Sequence, residues 1–272
     1  MIAWKYKYWR TAGAAAAMTA GLAACGGEGG EGGGEAGQAG EGGEAAGSAP
    51  APSAANATAP QGGEQGEAGA ATAYAGLSGD QLTALRLQHL KGFVMAAARM
   101  ANQPEAAAIL LQQGLLEVYD VAPGQFGALD IAQVRAASDG AGTTAAQMTQ
   151  RLQGAEHTID FALENLEFDH AILVVRMVDI ATGLYQGVIQ EDFMDAIEYQ
   201  HSMGAALAAR DALASGRGEL QRRDRRANAE AVAELDRFVA LWPAPEAPPT
   251  PNPYAQVLAQ GSRVRLALSP YL

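Results

Sequence analysis

Three ionisable side chains recur at three-residue spacing in EDFMDAIEYQHSMG, residues 191–204: Asp195, Glu198 and His201. Residues three apart are neighbours on the surface of an α-helix, and Glu-x-x-His is the spacing with which helical bundles hold pairs of metal ions. Carboxylate and imidazole donors suit hard or borderline cations such as iron, manganese and zinc. Because bundle sites draw ligands from several helices, further donors would have to come from elsewhere in the chain.

The helix that carries these residues also has an apolar stripe, which gives a second interpretation. The stripe consists of Phe193, Ile197, Gly204 and Leu207. On a helical wheel His201 borders this stripe, Glu198 lies further round and Asp195 points largely away. The pattern therefore favours a solvated face beside the core over a metal role for Glu198 and His201, and Asp195 is the weakest candidate ligand.

Other polar residues within apolar helical patterns invite the same two interpretations. His89 lies near Leu85 and Phe93. This position favours a hydrogen-bonded histidine at the edge of the core over a metal ligand. Arg176 and Asp179 are the only charges in AILVVRMVDIATGLY, three residues apart on one face, and charges at that depth must be paired. We expect them to form a structural ion pair.

These residues need helices to position them, and the periodicity beyond residue 76 is helical throughout. Helices are predicted from 78 to about 101, from Pro104 until Pro123-Gly124 ends it, near Asp130 to Ala137, over 144–167 and over 171–185, the last apolar nearly all round and therefore central. Two more are predicted from Asp192 to about Ala214 and from Leu220 to Leu241, before a proline-rich segment at 243–253. The predicted fold is an all-α bundle of about six to seven helices.

Part of this region resembles the helical periplasmic domain that accompanies bacterial high-affinity iron permeases and its imelysin-like exported relatives. The resemblance covers roughly 77–268, and its distinctive residues are Val175, Arg176, Ala181, Tyr185, Val188, Glu198, Tyr199, Gln200 and Gly204. It implies a periplasmic bundle linked to iron or another divalent transition metal. Such relatives are expected to carry histidines ahead of a Glu and a Tyr, whereas Gln112 and Gln113 precede Glu117 and Tyr119 here, which leaves open whether the family's ligand set is complete.

The N-terminus indicates where the protein is located. Three basic residues in MIAWKYKYWR precede a short apolar run that ends in Leu22-Ala23-Ala24-Cys25, and Cys25 is the only cysteine in the chain. The order is that of a secretory signal, and the last four residues match the bacterial lipoprotein box, which implies cleavage after residue 24 and lipid attachment at Cys25. Gly26 after the cysteine is typical of sorting to the outer membrane. An ordinary signal peptide with a leftover thiol is the alternative.

Residues 25–76 are predicted to be a disordered tether. After Cys25 they are almost entirely Gly, Glu, Ala, Ser, Gln and Pro, which cannot offset the entropy of ordering. A flexible chain of about 50 residues spans roughly 40 Å. Removing the tether's seven Glu from 30 acidic residues, and three N-terminal bases from 18, leaves 23 against 15, so the net charge of the domain at 77–272 is about −8 of the total −12. Nucleic acid is not an expected partner.

Catalytic motifs are missing from the sequence, which contains no Gly-x-Ser-x-Gly, no His-Glu-x-x-His and no cysteine other than Cys25. We therefore do not expect an enzyme. Two functions remain: an envelope lipoprotein that binds iron or a similar metal, and a metal-free tethered module that docks an envelope protein. The first requires His89, Glu117, Glu198 and His201 to converge, and the second requires an exposed apolar or Arg-rich patch.

Overall fold

A computed structural model describes residues 71–190 and 193–272, together with the backbone of Lys5–Tyr6. The rest of the predicted signal peptide, Cys25 and most of the predicted tether lie outside the described residues. Within the described part no helix has both the length and the apolar character needed to cross a membrane.

The predicted all-α class is confirmed, with nine α-helices among the described residues. The helices are α1 (Gly79–Arg99), α2 (Pro104–Gly114), α3 (Ile131–Ala137), α4 (Ala145–Glu164), α5 (His170–Tyr185), α6 (Ala196–Ser215), α7 (Arg217–Arg223), α8 (Arg225–Val239) and α9 (Tyr254–Leu268). Short 3₁₀ turns lie at Thr72–Tyr74, Pro123–Gln125 and Ser269–Tyr271, and a π-helix at Leu115–Tyr119 continues α2. The two-residue strands β1 (Lys5–Tyr6) and β2 (Phe193–Met194) pair in parallel.

Several helices begin where a short polar side chain caps the free backbone N–H groups of the first turn. The capping residues are Asp130, Thr144, Asp169, Asp195 and Asp224. Thr144 and Gln147 form a reciprocal capping box at the start of α4. Asp224 has extended backbone angles, and its carboxylate accepts from two amides of α8, so the single helix predicted over 220–241 is divided into α7 and α8.

The ordered bundle begins before residue 77. Ala73 is fully buried, and the neighbouring Tyr74 packs against the core. The end of the predicted tether is therefore part of the bundle, because Tyr74 supplies an aromatic side chain that the Gly- and Glu-rich stretch before it lacks.

Helices α5 and α6 form the centre of the bundle and pack along each other. Helix α1 packs against α6, α4 and α2, and α9 covers α5 and α8. At one end of the core Trp242 stacks edge-on against Tyr185 and Phe238. The proline-rich segment is held against this end, because the Tyr185 hydroxyl donates to the Asn252 carbonyl at 2.8 Å and the Gln200 amide donates to the Pro245 carbonyl at 3.3 Å.

Candidate functional site

The candidate site lies where α1 and α6 cross in antiparallel directions, and two glycines set their separation. A Cβ on Gly204 would lie 2.5 Å from the carbonyl oxygen of Gly92, and a Cβ on Gly92 would lie 2.9 Å from the same atom of Gly204. Only glycine at both positions allows this approach. His89 and His201 each precede one of these glycines by three residues, and Phe93, next to Gly92, contacts both imidazole rings.

His201 is buried and faces the end of α2 and the π-helix that follows it. Its Nε2 lies 3.1 Å from Oε1 of Gln113, and its Nδ1 lies 3.5 Å from Oε2 of Glu117. When the Gln113 oxygen accepts from Nε2, that nitrogen carries the proton and Nδ1 presents a lone pair towards the Glu117 carboxylate. Glu117 belongs to the π-helix, a rare conformation that occurs frequently at functional sites.

His89 is also buried, and the ring of Phe93 separates it from His201. The ring centroid of Phe93 lies 5.5 Å from that of His89 and 4.7 Å from that of His201. The Tyr74 hydroxyl is hydrogen-bonded to Nδ1 of His89 at 2.5 Å, whereas Nε2 of His89 has no hydrogen-bond partner among the described residues. A buried ring nitrogen is thus available on the side of His89 away from Tyr74.

Both imidazoles are neutral at physiological pH. Burial lowers the pKa of His201 from 6.5 to about 3. Burial also lowers the pKa of His89 to about 3, with smaller contributions from His201 and Arg86. Neutral imidazole is the form that binds metal ions.

The residues of the EDFMDAIEYQHSMG motif have separate positions in the structure. Glu198 and His201 are buried, with 2% and 4% of their surface exposed, so the favoured interpretation as a solvated face is wrong. The alanines and glycine of α6 let neighbouring helices approach it from several sides, which a wheel with one apolar stripe does not anticipate. Asp195 acts as a helix cap, because its carboxylate accepts from the amides of Ile197 and Glu198.

The sequence-predicted metal set converges only in part. His201 and Glu117 face each other and His89 lies across the Phe93 ring, but no three His, Cys, Asp or Glu side chains in the described ranges are close enough to hold a metal ion. The donor chemistry fits a metal at the first pair, since two tetrahedral ligands at about 2.1 Å from a metal lie about 3.4 Å apart. His201 Nδ1 and the Glu117 carboxylate are separated by 3.5 Å.

The predicted ion pair between Arg176 and Asp179 is replaced by a longer-range partner. Asp179 accepts instead from Arg265 of α9, and Arg176 contributes only a weaker electrostatic attraction. Burial raises the pKa of the Asp179 carboxyl, and the attraction of Arg265 opposes this only in part. The three-residue spacing places Arg176 on the same face of α5 as Asp179. Helix α9 packs across that face, however, and brings the Arg265 guanidinium closer to Asp179.

A polar cluster that the sequence analysis missed surrounds Lys91 on α1. The Lys91 side chain is only 3% exposed, and its ammonium lies 2.7 Å from Asp160 and 2.6 Å from Asp211, with Glu156 at 3.9 Å. Burial lowers the pKa of Lys91, but the hydrogen bonds and charges of Asp160 and Asp211 outweigh it, so the net pKa lies above the usual value. The available signal was that Lys91 is the only lysine after residue 7 and lies within an apolar helical pattern.

Beside this cluster a cleft of about 520 Å³ opens between α1, α4, α5 and α6. Its polar lining includes Gln88, Lys91, Asp160 and Asp211, and its apolar wall includes Leu163, Phe168 and Leu173. Gln88 also donates to the Ala208 carbonyl at 2.8 Å and to Asp211 at 3.0 Å, which fixes the inner wall.

Neither a scan against protein-family models nor searches of curated proteins and of solved structures finds a match to this chain.

Proposed function

We propose that the protein is a lipoprotein of the bacterial cell envelope, held through Cys25 at the periplasmic face of the outer membrane, whose helical bundle binds iron or a similar divalent transition metal. The observation that carries the proposal is the arrangement of His201. Its Nδ1 lies 3.5 Å from a carboxylate oxygen of Glu117. In the tautomer protonated at Nε2 both atoms are acceptors, and a cation between them would accept a lone pair from each.

The surroundings of the two histidines support this role. Metal-binding imidazoles usually engage their second nitrogen with a hydrogen-bond partner that fixes the tautomer and orients the ring. Gln113 does this for His201, and Tyr74 can do it for His89 when Nδ1 donates to the phenol oxygen. Glu117 is more exposed than His201, so water can complete the coordination from that side.

The tether keeps this protein near a membrane, where it takes up the metal or hands it on without catalysis.

The location is supported by the signal-like N-terminus and the lipoprotein box. Mass spectrometry of the mature chain tests the anchor: we expect a lipid-modified cysteine at the N-terminus, lost in Cys25→Ser. An unmodified chain that retains residues 1–24 would contradict the location.

Metal binding is tested by titrating the full chain carrying Cys25→Ser, which cannot be lipidated, with Fe²⁺, Zn²⁺ and Co²⁺. We expect one ion per chain and a Co²⁺ absorption spectrum typical of nitrogen and oxygen ligands. Glu117→Gln keeps the shape of the side chain and removes the anionic donor, so its affinity should fall by about tenfold or more.

His157 provides the matched control, because its side chain is exposed on α4. His157→Gln should bind like the parent, whereas His201→Gln should lose the metal while circular dichroism remains helical. Equal affinity in all of these variants, or no stoichiometric metal, would contradict the proposal.

A specific surface feature favours the second candidate, a docking module without metal. Ile109, Leu116 and Val121 are each more than half exposed and come from α2 and the turns that follow it. Exposed apolar side chains that form one patch mark protein interaction sites, and an apolar segment of an envelope protein would cover these three. The double variant Ile109→Ser and Leu116→Ser should abolish cross-linking to such a partner in cells, and unchanged cross-linking would exclude this surface.

A further inference from the structure

The cleft next to Lys91 lies away from the buried histidines. The cleft volume of about 520 Å³ falls within the range of about 300–1,000 Å³ found for small-molecule sites. It reaches from the polar groups of α1 and α6 to the partly buried side chains of Leu163, Leu166 and Phe168. A ligand that fills it therefore meets a charged end and an apolar wall.

The net charge of the side chains that line the cleft determines whether it favours a cation or an anion. Asp160, Glu164 and Asp211 supply three carboxylates, and Lys91 supplies one ammonium, which leaves an excess of two negative charges. Asp160 and Asp211 already contact Lys91, whereas Glu164 is exposed at the rim. A cation entering the cleft would meet the uncompensated charge, and an anion would be repelled.

The same geometry disfavours a bare metal ion and favours an organic cation. The Lys91 ammonium occupies the centre of the carboxylates, and within the described ranges no three acidic or histidine side chains could hold a metal. The apolar wall ends in Phe168, whose ring lies 4.7 Å from that of His170. Aromatic faces and apolar side chains stabilise the hydrocarbon part of a ligand and attract an adjacent ammonium group.

We propose that this cleft binds an organic ammonium ion, an amine with an alkyl or aromatic body, with its charge near Asp160 and Glu164 and its body against Phe168 and Leu173. The inference is independent of the metal proposal, because the two sites share no residue. Binding should weaken with rising salt concentration, as expected for a charge attraction that is partly open to solvent.

The probe is 2-phenylethylamine, titrated by calorimetry into the full chain carrying Cys25→Ser. Its neutral analogue 2-phenylethanol and the anion 3-phenylpropionate have the same ring and a similar length. We expect a Kd below about 1 mM for the amine, with the alcohol about tenfold weaker and the carboxylate without measurable binding. Equal binding of the three compounds, tighter binding of the anion, or no saturable binding of the amine would overturn the proposal.

Two variants locate the amine within the molecule. Glu164→Gln removes a rim carboxylate that does not hold Lys91, so folding should be preserved and amine affinity should fall about fivefold to tenfold. Phe168→Ala should weaken the amine and the alcohol alike. Glu230→Gln on α8, an exposed carboxylate outside the cleft, is the control and should bind like the parent. Wild-type affinity in Glu164→Gln and Phe168→Ala would place the amine elsewhere and overturn the assignment.

Discussion

Two buried polar residues of α1, His89 and Lys91, are separated by a single residue in the sequence but differ in charge. The imidazole is neutral, whereas the ammonium is charged. His201, on the helix opposite His89, faces one carboxylate, that of Glu117 at 3.5 Å from its Nδ1, and burial keeps both imidazoles neutral. Lys91 is as deeply buried and keeps its charge, because carboxylates from α4 and α6 surround the ammonium. The comparison shows that the neighbours supplied by other helices, and not depth alone, decide whether a buried group is charged.

The largest effect is expected from removing the charge of Lys91. Lys91→Met leaves Asp160, Asp211 and Glu156 close together with no cation, so the free energy of unfolding should fall by about 3–5 kcal/mol in urea denaturation. Part of this loss should be regained as the pH is lowered towards 4, because protonation relieves the repulsion between the carboxylates.

The exposed Arg210, adjacent to Asp211 on α6, gives the matched control. Arg210→Met should change the free energy of unfolding by no more than about 0.5 kcal/mol. If Lys91→Met cost as little as this control, the charged interpretation of the Lys91 cluster would be wrong.

A smaller loss is expected from separating the two helices that hold the histidines. Gly204→Ala places a methyl group 2.5 Å from the Gly92 carbonyl oxygen and should cost about 1–3 kcal/mol in the free energy of unfolding. Gly154→Ala on α4 is its control, since the nearest atom to the added methyl is 3.8 Å away and alanine favours a helix by about 0.5–1 kcal/mol. Stabilisation by both substitutions would contradict the close crossing.

The neutral histidines should appear in the pH dependence of stability. Their pKa is about 3 in the folded state and 6.5 in the unfolded chain, so the unfolded state binds more protons between these values. Stability is therefore fully present above pH 6.5 and is lost as the pH falls, by up to about 1.4 kcal/mol per pH unit for each histidine.

Replacing one histidine should flatten this slope. Between pH 6 and pH 5 the dependence measured by urea denaturation should be smaller in His201→Gln than in the wild type by about 1 kcal/mol per pH unit. The exposed His157→Gln should leave the slope unchanged. A slope that His201→Gln does not alter would mean that His201 is protonated in the folded protein.

The smallest effect on stability is expected for the partly exposed pair of Asp179 and Arg265. This pair is charged, as Lys91 is, but it is less deeply buried than either Lys91 or the two histidines. Half of the Arg265 side chain is exposed, so Arg265→Gln should cost less than about 1 kcal/mol. Arg176→Gln should cost less still, because Arg176 does not contact Asp179. A larger loss in Arg176→Gln than in Arg265→Gln, measured by thermal and urea denaturation, would restore the pairing expected from the sequence.

Features that depend on residues close together in the sequence could be predicted, whereas features that depend on distant residues could not. The caps at Asp130, Thr144 and Asp169 act within three residues, and the sequence placed helix starts close to them. Asp195 is the exception among these local features. The helical wheel drawn over 191–204 included Asp195 in the helix, whereas in the structure it precedes the first turn as the N-cap.

The site itself depends on contacts between distant parts of the chain. The approach of Gly92 to Gly204 and the placement of Glu117 by a π-helix have no local sequence signature, so the burial of Glu198 and His201 was not anticipated. The carboxylates around Lys91 come from two other helices, and the guanidinium that reaches Asp179 comes from α9. Which helix packs across a given face is decided by the whole bundle.

The most direct test of the metal site is ¹⁵N NMR of the four histidine side chains in the full chain carrying Cys25→Ser, recorded at pH 7 with and without Zn²⁺. We expect His201 to be neutral with its proton on Nε2, and one equivalent of Zn²⁺ to shift its Nδ1 resonance while His157 remains unchanged. A protonated His201 imidazolium in the absence of metal, or a His201 spectrum that Zn²⁺ does not affect, would contradict the account.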